Sequence, residues 1–383
     1  NDWSWKTMVY GTSWDIEFIK KLKLNYPSIG EILKKESLKI VMGAGIESQD
    51  GEKLDSKHLV GLPLLDSKKG IDHFYINSEE VKIFNKEKIH RPRDKKLFEP
   101  PYCLVTTGVN CTDYRMRAAY SFKKFISKKA MYIIKSSKEN ISFLINLTGL
   151  INSSFYAYLN LMLGSSIGIE REQRLMDEVL EFPYIFDEDI VNKVKYINCI
   201  INEDRTINKD IIDKEIFELD KIILRDFKAD KNNFVDYAIT IQIPSITKEN
   251  KLKVYRKVSQ QEMIEYSKSF VSYFKNLFEP NNKYIIINIY MNVLDNFTIF
   301  ELVISDEYSK NKINFLEEVD ISKKILTNFS ISKFNDKFFE IRDIVYFEEN
   351  SFFIIKTNEY KNWHLAVSEI DLTEVIDEIL SGN

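Results

Sequence analysis

Apolar and polar positions at the start of the chain follow the spacing of short amphipathic helices. Thr12 or Ser13 can cap a first helix that runs through Lys23. Ser28 and Glu31 have the spacing of a capping box, which predicts the start of a second short helix. The chain is therefore expected to begin with helices.

Residues 38–135 show a different pattern, in which polar, Gly-containing or Pro-containing turns separate the short apolar runs LKIVMG, IDHFYI, YCLVTT, MRAAYSF and AMYIIK. Such runs predict strands. From residue 139 the apolar spacing becomes three or four, which predicts two consecutive helices broken near 149–153. Two more helices are predicted over 187–202 and 208–227.

The remainder of the chain indicates a separate α+β unit. Ile243-Pro244-Ser245 ends the helical periodicity and marks a boundary. A helix is predicted over 259–278, followed by a hairpin of KYIIINIYM and FTIFELVIS and a second hairpin of DIVYFEEN and SFFIIKT. A last helix is predicted from about residue 363 to 380.

These elements predict an α+β protein with three parts. Residues 1–185 form a strand-rich domain with flanking helices, residues 186–245 form a helical connector, and residues 246–383 form an accessory α+β domain with two hairpins. A chain of 383 residues is long enough for two or three compact units.

Two segments look like catalytic motifs. EPPYCL, residues 99–104, is similar to the quartet with which adenine-specific DNA methyltransferases hold a flipped base, and Gly43-Ala44-Gly45 is similar to their S-adenosylmethionine loop. A cofactor loop must leave a strand and open a helix, but the residues after Gly45 have no helical apolar face. The quartet lacks a preceding strand, because charged RPRDKKLF comes before it. We expect a Pro-Pro turn that leads into a strand, no catalytic residue and no bound cofactor.

Other chemistry is sparse in the sequence. The four histidines are scattered, and the HExxH, GxSxG and GxxxxGK[ST] patterns are missing. Cys103, Cys111 and Cys199 contain no CxxC pair, which indicates a reducing, cytoplasmic location and argues against zinc. No apolar run approaches the roughly 20 residues of a membrane span. Because the chain begins at Asn1 without Met, we expect a fragment of a longer protein.

Charge is the most informative property of the sequence. The net charge is −4, so a surface that binds nucleic acid must be local. Residues 114–138 contain no Asp or Glu and carry eight cations: Arg115, Arg117, Lys123, Lys124, Lys128, Lys129, Lys135 and Lys138. A second segment, residues 86–96, is also basic. These segments predict a positive face; the alternative is a solvated surface that serves solubility.

The order of segments resembles the target-recognition region of adenine-specific DNA methyltransferases from restriction-modification and phage-defence systems, of the type IIG kind, which is akin to the specificity subunits of type I systems. The resemblance extends over residues 1–240 and includes IVMGAGI, GLPLLD, LFEPPYCLVTTG and LTGLINSSFYAYLNLMLGSSIGIEREQRLMDEVLEFP. Its most specific positions are Asn152, Ser153, Gly164, Ser165, Phe182 and Pro183.

The resemblance implies binding of double-stranded DNA for methylation by a catalytic domain outside this chain, with S-adenosylmethionine as the cofactor of the parent enzyme. The residues expected to contact DNA are Arg91, Arg93, Lys95, Arg115, Arg117, Lys123, Lys124, Lys128 and Lys129, with Ser165, Ser166 and Arg171 as weaker candidates. Two alternatives stay open: a complete methyltransferase with degenerate motifs, and a non-catalytic scaffold of a defence complex.

Overall fold

The computed structural model describes residues 4–35, 42–49, 51–66, 68–79, 81–169, 172–204, 209–247, 251–293, 296–309, 312–316 and 344–381. The chain forms two compact units, residues 1–249 and 250–383. Each unit combines helices with a sheet, which confirms the predicted α+β class. Within the described ranges, no helix is both long and apolar enough to span a bilayer.

The strands of the first unit form one larger sheet and three two-stranded ribbons. They are β1 (Met42–Ala44), β2 (Leu54–Asp55), β3 (Pro63–Leu65), β4 (Ile71–Asp72), β5 (Tyr75–Ile76), β6 (Val81–Ile83), β7 (Lys88–Ile89), β8 (Tyr102–Val109), β9 (Met116–Ser121) and β10 (Met131–Lys135). The larger sheet is antiparallel with the order β1-β10-β8-β9, and the ribbons pair β2 with β7, β3 with β6, and β4 with β5. The predicted strands at YCLVTT, MRAAYSF and AMYIIK are confirmed, and IDHFYI forms the two short strands of a tight hairpin.

The helices of the first unit are α1 (Ser4–Tyr10), α2 (Ser13–Asn25), α3 (Ile29–Leu33), α4 (Ile141–Ile151), α5 (Ser154–Leu163), α6 (Met176–Leu180), α7 (Glu188–Asp204), α8 (Lys209–Asp226), α9 (Asn233–Tyr237) and α10 (Ile243–Ile246). The capping box of Ser28 and Glu31 is confirmed at the start of α3, and of the two candidates Thr12 and Ser13 it is Thr12 that caps α2, also in a capping box. The predicted break between two helices falls at Asn152 and Ser153, and the predicted helices at 187–202 and 208–227 are α7 and α8.

The core of the first unit lies around α4 and α5, which are buried along almost their whole length. Helix α4 packs against β8, β9 and α7. Gly149 permits the contact with α7, because a Cβ atom there would lie 2.8 Å from Ile190 and 2.9 Å from Val194. Leu219 and Ile223 of α8 belong to the same apolar cluster. The segment predicted to be a connector thus contributes two helices to this core.

The second unit contains α11 (Lys251–Val254), α12 (Gln260–Phe278), α13 (Leu365–Ser381), β11 (Tyr284–Val293), β12 (Phe297–Ser305), β13 (Ile313–Leu316), β14 (Ile344–Glu348) and β15 (Ser351–Thr357). Both predicted hairpins are confirmed, in a sheet of order β13-β11-β12-β15-β14. Strand β13, which is parallel to β11, was not predicted. Helices α12 and α13 pack on the sheet, where buried Lys356 pairs with Asp371 and the Tyr266 hydroxyl donates to the same carboxylate at 2.6 Å.

Candidate nucleic-acid interface

Backbone hydrogen bonds join the two predicted basic segments through one short extended stretch, residues 45–47. The Ile46 amide donates to the Ser127 carbonyl at 2.8 Å, and the Lys129 amide donates to the Ile46 carbonyl at 2.9 Å. On the other side, Glu47 and Arg91 exchange backbone hydrogen bonds of 3.1 and 2.9 Å. The loops around residues 91 and 127 are therefore neighbours, although about 36 positions separate them in sequence.

Gly45 makes this close arrangement possible. A Cβ atom at this position would lie 2.3 Å from the carbonyl oxygens of both Ser127 and Lys128, which is closer than real Cβ contacts allow. The Gly45 carbonyl accepts a hydrogen bond from Arg93 Nε at 3.3 Å. Gly43 and Ala44 lie in β1, and no helix begins in residues 42–49. The glycines therefore serve strand packing, and the geometry of a cofactor loop is not formed here.

The quartet EPPY also has a structural role. Strand β8 begins at Tyr102, directly after Pro100 and Pro101, as expected for a turn that leads into a strand. Tyr102 is fully buried, and its hydroxyl donates to the Lys123 carbonyl at 2.7 Å and accepts from the Phe125 amide at 2.8 Å. Burial raises the pKa of Tyr102 above its ordinary value. Tyr102, the aromatic residue of the quartet, therefore fixes the loop that carries Lys123 and Lys124.

Ion pairs connect several cations of these loops to nearby carboxylates. Glu47 pairs with Lys129 and, at 3.6 Å, with Arg91. The hydrogen bond from Lys129 lowers the pKa of Glu47. Further along, Lys124 lies 3.7 Å from Glu99. These contacts are exposed or half-buried, so they orient the cations and contribute little to stability.

The structure adds a third basic loop that sequence analysis missed. Asp66 accepts hydrogen bonds from the amides of Lys68 and Lys69 at 2.8 and 3.0 Å, which forms a tight turn with both lysines exposed. Asp66 also lies 3.9 Å from Lys128 Nζ. Arg117 supports the turn, because its Nη1 donates to the carbonyls of Lys68 and Ile71, both at 3.3 Å. A short Asp-Ser-Lys-Lys-Gly turn carries too little charge to stand out in the sequence.

We call nine exposed or half-exposed cations from these three loops the basic surface. Its members are Lys68, Lys69, Arg91, Arg93, Lys95, Lys123, Lys124, Lys128 and Lys129. In the described part of the chain, the ammonium groups of Lys95 and Lys123 have no ion-pair partner. Seven of the twelve predicted DNA-contacting residues belong to this surface.

Arg115 lies elsewhere, in spite of its position two residues from Arg117. Its Nη2 atom pairs with Asp220 of α8 at 2.6 Å, and its Nη1 atom donates to the Asn152 carbonyl at 3.0 Å. Only 18% of the Arg115 side chain and 9% of the Asp220 side chain are exposed. These contacts occupy the guanidinium inside the protein, so we do not include Arg115 in the basic surface.

The weaker candidates near the Gly-Ser turn also have structural contacts. The Ser165 amide donates to Glu178 Oε1 at 2.9 Å, and the Ser166 carbonyl accepts from the Ile169 amide at 3.1 Å. Arg171 lies outside the described residues. Gly164 leaves room for buried Arg174, whose Nη1 would lie 2.7 Å from a Cβ at that position.

The residues on which the family resemblance rests make contacts between helices and strands of the first unit. The side-chain amide of Asn152 bonds to both backbone groups of Ala118 in β9. Its Oδ1 accepts from the Ala118 amide at 3.1 Å, and its Nδ2 donates to the Ala118 carbonyl at 2.8 Å. Ser153 caps α5. The Arg174 guanidinium lies 4.5 Å from the centre of the Phe182 ring, and the Pro183 carbonyl accepts from Tyr156 at 2.5 Å. These residues hold α4, α5 and β9 together.

Comparisons with known proteins give little further information. No protein-family model and no curated protein matches the sequence. Among solved structures, the chain is similar to a Type IIL restriction-modification enzyme, MmeI, in complex with DNA, at 13% identity and a TM-score of 0.35. The similarity covers 57% of this chain and 36% of that chain. The chain thus spans about a third of that enzyme.

Proposed function

We propose that the first unit binds duplex DNA through the basic surface. One observation carries this proposal: residues 45–47 hold the loops around Arg91 and Ser127 side by side, while Asp66 links a third loop to Lys128. Nine cations thereby gather on adjacent loops of a protein whose overall charge is negative. Lysine and arginine side chains in such an arrangement suit phosphate contacts, which position a protein on DNA without reading its sequence.

We further propose that this unit is the target-recognition part of an adenine-specific DNA methyltransferase of a restriction-modification or phage-defence system. The order of sequence segments that resembles such regions supports this proposal, as does the structural use of both look-alike motifs. The catalytic domain and its S-adenosylmethionine then belong to another part of the parent chain or to a partner subunit. Saturable binding of S-adenosylmethionine to residues 1–383, measured by calorimetry, would instead favour a complete methyltransferase.

The test of DNA binding is a charge reversal confined to exposed lysines. Lys95, Lys123 and Lys129 are replaced together by Glu, and binding of a fluorescent 30-base-pair duplex is followed by anisotropy at several salt concentrations. We expect affinity at low salt to fall by at least about tenfold, and the slope of log affinity against log salt to lose up to about 0.9 for each phosphate contact removed.

A matched variant changes the same charge elsewhere on the first unit. Lys21, Lys195 and Lys231 are exposed on or beside α2, α7 and α8, and their triple replacement by Glu alters the net charge equally. We expect this variant to bind DNA almost as well as the unmodified chain. Equal losses in the two variants would mean that only net charge matters, and a failure of the unmodified chain to bind the duplex would contradict the proposal.

The scaffold alternative has its own supporting observation. Helices α1 and α2 expose the large apolar side chains of Trp5, Met8, Val9 and Trp14, and exposed apolar surface favours contact with another protein. The charge-reversal experiment separates the two functions, because a scaffold that uses this apolar face has no need of Lys95, Lys123 or Lys129.

A further inference from the structure

A cavity of about 390 Å³ lies where the β4–β5 turn, the loop before β9 and helix α8 meet. Its lining includes the side chains of His73, Asp113, Arg115, Asp213, Phe217 and Asp220. None of these side chains belongs to the basic surface. The chemistry of the cavity is therefore a separate matter from DNA binding.

The charges around this cavity favour a cation. Among the described residues of the lining, Arg115 is the one positively charged side chain, and it is already paired with Asp220 at 2.6 Å and lies 3.6 Å from Asp113. Asp213 has no hydrogen bond or ion pair within the described residues, and its side chain is exposed. Three carboxylates against one guanidinium leave the lining net negative, which disfavours a DNA phosphate.

His73 is another residue of the lining, and its ring holds a buried nitrogen able to accept a hydrogen bond. The hydrogen bonds with both backbone groups of Ala118 fix Asn152 Oδ1 as an acceptor. His73 Nδ1 lies 2.8 Å from that oxygen, so it must carry the proton and donate. In the neutral ring, Nε2 then holds a lone pair, and this buried atom has no hydrogen-bond partner in the part of the chain that the structure describes. A buried acceptor without a donor costs free energy, which binding of an N–H group would recover.

The rim of the cavity provides an apolar surface that tolerates positive charge. The Phe217 ring is largely exposed, and Lys221 Nζ already lies 4.4 Å from its centre. Glu218 pairs with Lys221 at 2.9 Å, so this ammonium does not cancel the negative charge of the cavity. An alkyl chain could lie against Phe217 while its charged end enters among the carboxylates.

We propose that this cavity binds the ammonium or guanidinium end of an alkyl chain, with Asp113 and Asp213 as counter-ions, His73 Nε2 as a hydrogen-bond acceptor and Phe217 as the apolar wall. Two sources share this chemistry: a free polyamine, and a lysine or arginine side chain of a polypeptide. The proposal is independent of DNA binding, because it uses none of the loops of the basic surface.

The first experiment titrates the full chain at low ionic strength by calorimetry with two probes, spermidine and N-acetyl-arginine amide. Saturable binding of spermidine alone identifies a polyamine site, and binding of the arginine derivative identifies a polypeptide side chain. N-acetyl-citrulline amide, which has nearly the same shape without the charge, should bind at least about tenfold more weakly. If neither cation binds, or if citrulline binds as well as arginine, the proposal is overturned.

The second experiment localises the site. Asp213→Asn and Asp113→Asn remove charge from the lining, and we expect each to weaken cation binding by about five- to tenfold. Asp210→Asn is the matched control, since Asp210 lies one turn earlier on α8 and outside the cavity lining. Its affinity should stay within about twofold of the unmodified chain. Equal losses of affinity in Asp210→Asn and Asp213→Asn would show that the cation responds only to the overall negative charge of α8, and would overturn the assignment.

A spectroscopic readout tests the role of His73 without a substitution. Nitrogen-15 NMR of the imidazole distinguishes a protonated Nδ1 from a protonated Nε2. We expect Nε2 to be unprotonated in the free protein, and its resonance to move when spermidine or the arginine derivative binds. A protonated Nε2, or a resonance that stays unchanged at saturation, would overturn the proposed contact and with it the proposal.

Discussion

Arg115 and Arg117 belong to one basic stretch of sequence, yet they contribute to different regions, since Arg115 lies just before β9 and Arg117 within it. Arg115 pairs with Asp220 beside an acidic cavity, whereas Arg117 holds the turn that carries Lys68 and Lys69. Asp220 is 105 positions from Arg115, so no local pattern could reveal it. The difference teaches that a run of cations in the sequence shows which segments carry positive charge. Carboxylates from distant segments decide which of these cations are paired inside the protein.

The two regions also differ in how their charges relate to folding. In the basic surface, ion pairs such as Lys129 with Glu47 are largely exposed, and water replaces a lost partner easily. In the cavity, the Asp220 carboxylate is nearly buried and accepts from the Ser154 amide at 2.8 Å as well as from Arg115. Breaking an ion pair should therefore leave stability almost unchanged in the basic surface, whereas breaking the Arg115–Asp220 pair should lower stability.

The largest expected effect is that of Arg115→Met. Methionine preserves much of the apolar stem but leaves the Asp220 carboxylate without its counter-ion, and breaking a pair of this kind costs about 2–3 kcal/mol after allowance for partial exposure. Urea denaturation of the full chain measures this loss in the transition of the first unit. Lys129→Met, which breaks an exposed pair, should leave that transition unchanged. Equal stability of the two variants would contradict the distinction between the regions.

A somewhat smaller effect is expected for Gly45→Ala, on the side of the basic surface. The added methyl would meet the Ser127 and Lys128 carbonyls, so the loops must separate, at a cost of about 2 kcal/mol. DNA affinity should fall along with stability, because the same contacts align the cations. Gly108→Ala is the control, since a methyl there meets only the Glu172 carbonyl, at 3.3 Å. A stable Gly45→Ala protein with full DNA affinity would show that residues 45–47 do not organise the surface.

Local patterns predicted much of the secondary structure. The caps were predicted from local chemistry: Ser28 from its spacing to Glu31, and Thr12 as one of two candidates with Ser13. The break at 149–153 followed from apolar spacing. Both hairpins of the second unit were predicted for the same reason, because alternation within a strand is a local property. Strand β13 was missed, since four residues are too few to show alternation.

The candidate sites were predicted less well, because they depend on contacts between distant segments. Gly45 looked like part of a cofactor loop, and only its approach to residues 127 and 128 explains the missing side chain. The turn at Lys68 and Lys69 joins the basic surface through Asp66, which also lies near Lys128. The acceptor at His73 follows from the orientation of Asn152, which no sequence pattern specifies.

The smallest expected effect concerns pH and again separates the two regions. Burial lowers the pKa of His73 below its ordinary value; Arg115 lowers it further, while Asp113 and Asp72 act in the opposite direction. Because the folded protein then binds this proton less readily than the unfolded chain, stability of the first unit should fall as pH decreases below about 6.5. The slope from one such group is at most about 1.4 kcal/mol per pH unit.

The measurement compares urea denaturation of the unmodified chain and His73→Gln between pH 5 and pH 8. Glutamine can still donate to Asn152 Oδ1, so the variant keeps the contact and loses only the titration. Asp226 titrates with the opposite sign, because burial raises its pKa to about 6, but it is present in both proteins and cancels in the difference. The two stability curves should diverge as pH falls below about 6.5, because the unfolded chain takes up the proton there. Binding of the cation probe by the folded, unmodified chain should weaken only at lower pH, where His73 itself becomes protonated and repels the probe. Parallel curves would show that the pKa of His73 is the same in the folded and the unfolded chain. The cavity would then lack the buried neutral acceptor that distinguishes it from the basic surface.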